Sequence, residues 1–95
     1  MKGKQRSYLK SLANSLKVSL IVGKGGISDH LLKDLDDQLK AKELVKIKFL
    51  DNSGLEAGEE ADKIIEELGA EFVSQMGSKL VIYRPSKKKM INLPE

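Results

Sequence analysis

The segment Gly23–Gly26 (GKGG) has the residue types and spacing that suit binding of an anion. Glycines can adopt positive φ angles and let a ligand approach the backbone closely. Ser28 and Asp29 follow and are typical of a helix start, where free N–H groups and a partial positive charge attract anions. Lys24 adds a mobile full charge. These features together predict contact with phosphate groups, and we expect at least one of the last two glycines to have a positive φ or to lie where a Cβ would block the phosphate.

Three kinds of phosphate-binding loop compete as interpretations of this segment. A Walker A loop requires GxxxxGK[ST], and the sequence contains no such run. A dinucleotide-binding loop requires GxGxxG, and here Gly23 and Gly25 are followed by Ser28 at the third position in a chain too short for that fold. A GxxG loop that clamps a nucleic-acid backbone, as in KH modules, fits the glycines, although a KH loop joins two helices. A glycine-rich turn without a binding function is the remaining alternative.

The apolar spacing around this loop predicts alternating helices and strands. The predicted segments are a helix over 4–16, a strand over 18–22, a helix from 28 to about 41, a strand over 44–50, a helix over 56–68 and strands over 70–76 and 80–84. This α-β-α-β-α-β-β order predicts an α/β fold, a two-layer mixed four-stranded sheet with helices, in which the first three strands are parallel. The strand over 18–22 is apolar on both sides and is expected to be central or well covered.

The turn at Gly77-Ser78 should then lie at the same end of the sheet as the glycine loop. Residues 1–86 are expected to form a single domain, because 95 residues do not suffice for two ordinary cores. The basic segment over 87–95 is expected to be a flexible tail.

Charge is distributed unevenly along the chain, although the net charge is only +3. Residues 1–28 carry six bases and no acid, and residues 73–95 carry five bases and one acid. Residues 51–72 carry eight acids and one base, most of them in the third predicted helix. A surface that is basic on one side and acidic on the other favours a polyanionic partner and can orient it.

Composition argues against several other classes of protein. The chain has no Cys and one His, which excludes disulfides, a thiol nucleophile and a zinc site built on Cys, so we expect no metal and no cofactor. The single His, His30, is expected at the surface. No apolar run reaches the ~18 residues that span a bilayer, and no signal segment follows the first residues. These features predict a cytoplasmic protein without a membrane partner.

Four runs in the sequence occur together in one known family: KQRSYLKSLANSL, VGKGGIS, KELVKIKF and GSKLVIYRPS. With these runs, over about residues 4–86, the chain resembles the YhbY-type CRM (chloroplast RNA splicing and ribosome maturation) family. The resemblance implies a fold similar to the C-terminal domain of translation initiation factor three. It also implies an RNA-binding protein that is not an enzyme. Its partner would be ribosomal RNA, in precursors of the large subunit, rather than a small-molecule substrate. We expect a monomer.

The resemblance assigns the GxxG loop, the basic first helix and the terminal strand motif to RNA binding. The charge pattern adds Lys17 and Lys79. The predicted RNA-binding residues are Gly23, Lys24, Gly25, Gly26, Lys4, Arg6, Lys10, Lys17, Lys79 and Arg84. No catalytic residue is predicted. The chain departs from the family at Asn14, where members usually have His after Ala, and at Lys42, where His often precedes Glu-Leu. Two alternatives stay open: a protein-interaction adaptor on the ribosome that uses the acidic helix, and a small nucleotide-binding enzyme that uses the GKGG loop.

Overall fold

The computed structural model describes residues 1–95, which form three α-helices and four β-strands. The elements are α1 Gly3–Asn14, β1 Leu20–Val22, α2 Asp29–Lys42, β2 Leu44–Phe49, a 3-10 turn Asp51–Ser53, α3 Ala57–Leu68, β3 Glu71–Met76 and β4 Lys79–Tyr83. The predicted order of elements is therefore confirmed. No helix combines the length and the apolar character needed to cross a membrane.

The four strands form one mixed sheet in the order β1-β2-β4-β3. β1 and β2 are parallel, and β4 lies between β2 and β3, antiparallel to both. The first three strands thus run in one direction, as the sequence predicts. We call the end of the sheet at which they finish the loop end, and the opposite end the tail end.

Helices cover both faces of the sheet, so the prediction of two layers is wrong and the fold has three. Val45, Ile47 and Phe49 of β2 point to α2 and α3 in the larger buried cluster. Leu44 of β2 points to the opposite face of the sheet, where it packs with Leu9 of α1 in a second buried cluster. The apolar stripe of the first helix predicts that it packs on the sheet, but it carries no information about which face it covers.

The expectation of a central first strand is also wrong. β1 has only three residues, lies at one edge of the sheet, and leaves the side chain of Ile21 55% exposed. The interior position next to β2 is taken by β4, which enters through the hairpin with β3. The apolar run predicted a strand correctly, but its neighbours depend on pairing between distant segments.

Local signals at the helix ends agree with the sequence. The Ser28 side chain accepts a hydrogen bond of 3.1 Å from the Leu31 N–H and caps α2, as predicted. Gly69 ends α3 in the left-handed conformation, at φ 62°. α1 ends earlier than predicted, at Asn14. The Lys46 ammonium lies 3.2 Å from the carbonyl oxygens of both Ala13 and Leu16, where it stabilises the negative end of the helix dipole.

The segment after β4, for which the sequence predicts flexibility, contacts the domain through Glu43. Glu43 is completely buried, and its carboxylate accepts hydrogen bonds from the N–H and hydroxyl of Ser86, at 2.7 and 2.6 Å, and from the Ile91 N–H, at 2.8 Å. Ile91 and Leu93 then pack on the second buried cluster. The run of lysines by itself suggests a mobile tail. Its hydrogen-bond acceptor, Glu43, lies more than forty residues earlier in the sequence, so no local signal indicates the contact.

Candidate nucleic-acid interface

The glycine loop and the hairpin turn meet at the loop end of the sheet, as predicted. Val22 pairs with Phe49, and the Leu50 N–H donates to the Val22 carbonyl at 2.9 Å. The Phe49 N–H donates to the Ser78 carbonyl at 2.8 Å, which brings the turn at Gly77-Ser78 to the same level. Residues more than fifty positions apart in sequence therefore share one end of the molecule.

The glycine loop is a tight turn that exposes its two central residues. The Gly26 N–H donates to the Gly23 carbonyl at 2.9 Å, so Lys24 and Gly25 form the corner. Both corner residues are exposed, and their N–H groups have no partner within the protein. Gly26 has φ 64°, which confirms the expectation of a positive φ in the loop. The turn thus presents two free N–H groups and an ammonium, which suits a phosphate oxygen.

A row of four side chains crosses the sheet beside this loop. Ile21 pairs with Lys48, Lys48 with Lys79, and Lys79 with Met76, so all four project from the same face. The outer two are exposed apolar side chains, Ile21 at 55% and Met76 at 76%. The two central lysines face each other directly, and neither takes part in any ion pair of the structure.

The row is open because α1 stops one row short of it. The next row on the same face holds Lys46 and Val81, where Lys46 caps the end of the helix. A polar cavity of about 460 Å³ lies between the end of α1 and the hairpin turn. Asn14 and Lys79 line it. Asn14, which stands where the family usually has a His after Ala, therefore lines this cavity.

Lys10 joins the same region from α1. It lines a hollow of about 390 Å³ beside β3 that shares Asn14, Ser74 and Met76 with the cavity. We call the set formed by Lys10, Lys24, Lys48 and Lys79 the lysine surface. Its members come from a helix, a loop and two strands, and all four lack an acidic partner.

The acidic helix lies on the other side of the molecule. α3 carries Glu59, Glu60, Asp62, Glu66 and Glu67 and packs, with α2, on the face opposite α1. The two faces of the sheet therefore differ in charge, as the uneven sequence predicted. A polyanion is attracted to the lysine surface and repelled from the α3 side.

Three of the predicted basic residues do not belong to this surface. The Arg6 guanidinium donates to the Phe72 carbonyl at 3.0 Å and thereby covers a free acceptor of edge strand β3. Lys4 lies in the first turn of α1, towards the tail end, and is exposed. Lys17 lies beyond the end of α1, in the connection to β1, so it does not share a helix face with Arg6 and Lys10.

Arg84, which the sequence predicts to contact RNA, has a structural role in the fold. Its guanidinium lies 2.8 Å from an Asp36 carboxylate oxygen and donates to the Leu68 carbonyl at 2.8 Å, at the tail end of the sheet. It therefore ties α2 to the end of α3. The hydrogen bonds from Arg84 and Lys40 hold the pKa of Asp36 below its usual value. Both terminal nitrogens of the guanidinium therefore already have partners inside the protein.

Sequence reasoning left out Lys48 and the apolar residues beside it. The alternation over 45–49 does indicate that Lys48 projects from the face opposite Val45 and Ile47. Its position opposite Lys79 depends on the pairing of β2 with β4, which no local signal predicts. Tyr8 of α1 is 39% exposed, because the helix buries Leu9 and Ala13 instead.

Comparisons with known proteins agree with this architecture. The model of the CRS1 / YhbY (CRM) domain family matches residues 1–84. The probable RNA-binding protein YqeI of Bacillus subtilis is 34% identical over 93 residues, 97% of each chain. An RNA-binding protein of Haemophilus influenzae is 32% identical over 91 residues, 96% of this chain and 92% of the relative. The solution structure of SAV1595 from Staphylococcus aureus, described as a candidate RNA-binding protein, is 38% identical, covers 99% of both chains and superposes with a TM-score of 0.78.

Proposed function

The chain belongs to the CRS1 / YhbY (CRM) domain family, and we propose that it binds RNA, through the lysine surface and the backbone of the glycine loop. The relatives reported above carry names that describe RNA binding, and none is named as an enzyme. A non-enzymatic RNA-binding module is therefore the function that best joins the family to the geometry.

One observation carries the proposal: Lys48 and Lys79 face each other across β2 and β4 without an acid to pair with. Like charges directly opposite each other destabilise a sheet. A phosphate backbone relieves this repulsion, and it finds further donors in Lys24 and the free N–H groups of the loop. Of the chain's four aromatic side chains, Phe49 and Tyr83 are buried and Tyr8 and Phe72 are exposed. Two exposed rings offer few platforms for splayed bases, which favours structured RNA bound by its phosphates.

Ribosomal RNA in precursors of the large subunit is the RNA that we propose. The support is the resemblance to single-domain bacterial CRM proteins, which are linked to that subunit. Crosslinking in cells followed by sequencing of the attached RNA tests this step. Enrichment of large-subunit precursor RNA is expected, and enrichment of unrelated RNA alone would reject the ribosomal part of the proposal.

Matched charge variants test the surface itself. Lys48→Gln with Lys79→Gln should weaken RNA binding similarly for all sequences, because phosphate contacts carry no base information. Lys33→Gln with Lys63→Gln is the control, because it removes the same charge from exposed positions on α2 and α3. Equal losses in the two variants would show that net charge, and not this surface, governs binding.

A second candidate function, docking of a basic protein segment, has its own observation. An open groove of about 610 Å³ lies between α2, α3 and the loop after β2. Ile27, Leu32 and Leu55 line it, and Glu66 and Glu67 give it an acidic rim. Glu66→Gln with Glu67→Gln should weaken binding of a lysine-rich amphipathic peptide if this function is real, and should leave RNA binding unchanged.

The remaining expectations complete the proposal. We take the protein to act as a monomer in the cytoplasm, without cofactor or metal. The absence of Cys fits a reducing compartment. Size-exclusion chromatography with light scattering tests the monomer, and a dimeric mass would reject it.

A further inference from the structure

The buried carboxylate of Glu43 lies at the tail end of the sheet, far from the lysine surface. It is completely shielded from solvent, and all three of its hydrogen-bond donors come from the segment after β4. Burial by itself would raise the pKa of Glu43, but the hydrogen bonds from Ser86 and Ile91 outweigh burial and lower the pKa below its usual value. The protein therefore keeps a buried negative charge whose direct effect is to order this segment.

The ordered segment is a turn that presents consecutive lysines. Within Ser86–Lys89, the Lys88 N–H donates to the Ser86 hydroxyl at 3.3 Å, and the Lys89 N–H donates to the Ser86 carbonyl at 3.2 Å. Lys89 has φ 47°, a left-handed conformation that a flexible chain rarely adopts. Lys87, Lys88 and Lys89 are all exposed, and none takes part in an ion pair. We call Ser86–Lys89 the lysine turn.

The lysine turn is separate from the family's common domain and from the lysine surface. The family model ends at residue 84, before the turn begins. β2 has six residues, so the two ends of the sheet are about 20 Å apart at a rise of about 3.3 Å per residue.

We infer that the lysine turn is a second phosphate-binding site, which an RNA duplex reaches only when it is long enough to extend from the loop end of the sheet to the tail end. This inference rests on the proposed RNA-binding function. The two sites act together because an RNA held at the lysine surface meets the turn at a high effective concentration. Fixing the turn in advance reduces the entropy lost when its lysines bind.

RNA hairpins of two lengths provide the test. Duplex RNA is A-form and rises less per base pair than the roughly 3.4 Å of B-form DNA, so a stem of about 4 base pairs is shorter than about 14 Å and cannot reach both ends. A stem of about 16 base pairs exceeds the 39 Å length of the protein. Lys87→Gln with Lys88→Gln should lower affinity for the long stem about 10- to 30-fold at 0.1 M salt, and should reduce the slope of log K against log salt by about 1 to 2. Affinity for the short stem should not change.

Two further variants separate charge from order. Lys33→Gln with Lys63→Gln removes the same charge elsewhere and should leave the affinity for both stems unchanged. Glu43→Gln keeps every lysine but weakens the ordering of the turn, and should lower affinity for the long stem alone. If Glu43→Gln does not fold, the lysine variants decide the question.

The outcomes distinguish this inference from the function it rests on. If the wild-type protein binds both stems and Lys87→Gln with Lys88→Gln binds the long stem equally well, the second site is wrong and the proposed function stands. The same conclusion follows if that variant weakens both stems equally. If the wild-type protein binds neither stem at 0.1 M salt, the RNA-binding function itself is wrong, and the second site falls with it.

Discussion

Replacing Gly25 and Gly26 singly by alanine separates the shape of the glycine loop from its access to RNA. Gly26 has φ 64°, and an added Cβ would lie 3.6 Å from Leu55 Cδ1, so space is adequate and the strain comes from the backbone. The left-handed conformation costs alanine about 1–2 kcal/mol, of which about 0.4–1 kcal/mol is offset by the loss of unfolded-state freedom. Gly26→Ala should therefore lower the free energy of unfolding by about 1 kcal/mol.

Gly25→Ala is the matched variant at the neighbouring position. Gly25 does not have a positive φ, and an added Cβ would meet nothing within 4 Å. Stability should therefore stay within about 0.5 kcal/mol of the wild type. The methyl group would project from the exposed corner of the turn, where the proposed phosphate approaches the free N–H groups. RNA binding should fall although every positive charge is kept.

Urea melts, thermal melts and equilibrium RNA binding, measured on both variants, decide the matter. For Gly26→Ala the melting temperature should fall by about 4–8 °C, as expected for about 1 kcal/mol in a domain of this size. An unchanged melting temperature would refute the argument from φ. If Gly25→Ala binds RNA like the wild type, close approach to the loop backbone is wrong, and the lysine side chains alone must provide the interface.

Three further predictions concern charge. The slope of log K against log salt should be about −3 to −5, as expected for four to six neutralised phosphates, and an affinity unchanged between 50 and 300 mM salt would reject the phosphate model. Lys24→Ala should weaken RNA binding without lowering the melting temperature. Arg84→Ala should lower the free energy of unfolding by about 2 kcal/mol, because its hydrogen bonds to Asp36 and Leu68 are lost, and should leave the affinity of the folded protein unchanged. The pKa of Glu43 is lowered from 4.5, so its contribution to stability is complete above pH 4.5 and is lost as the pH falls through the folded pKa. Acid titration of the wild type should show this loss, and a Glu43→Gln variant with the same loss would contradict it.

Signals between neighbouring residues predicted the elements and their ends. Apolar periodicity placed all seven segments, because each helix or strand must turn one side to a core. Ser28 and Gly69 marked helix ends correctly, since capping and the left-handed C-terminus depend on residues only a few positions away. The glycine loop was identified for the same reason: its turn closes within four residues.

The same local information gave no sign of contacts between residues that are distant in sequence. The partner of Arg84, Asp36, lies 48 residues away. Glu43, which accepts hydrogen bonds from the tail, lies 43 residues before Ser86. The sequence alone does not show whether a basic side chain has a carboxylate partner in the folded protein.

By itself the sequence determined the family, the order of helices and strands, the positive φ in the glycine loop and the opposition of basic and acidic segments. All of these follow from residue types and from spacing within a few turns of helix or strand. Only the tertiary structure decided that α1 covers the face of the sheet opposite α2 and α3. It also decided that α1 ends before the row of side chains at the loop end, where Lys48 and Lys79 face each other. The physical reason is that β4 takes its position between β2 and β3 through hydrogen bonds and packing between segments some thirty residues apart. The local sequence pattern of each strand would be the same in any other strand order, so it does not predict this one.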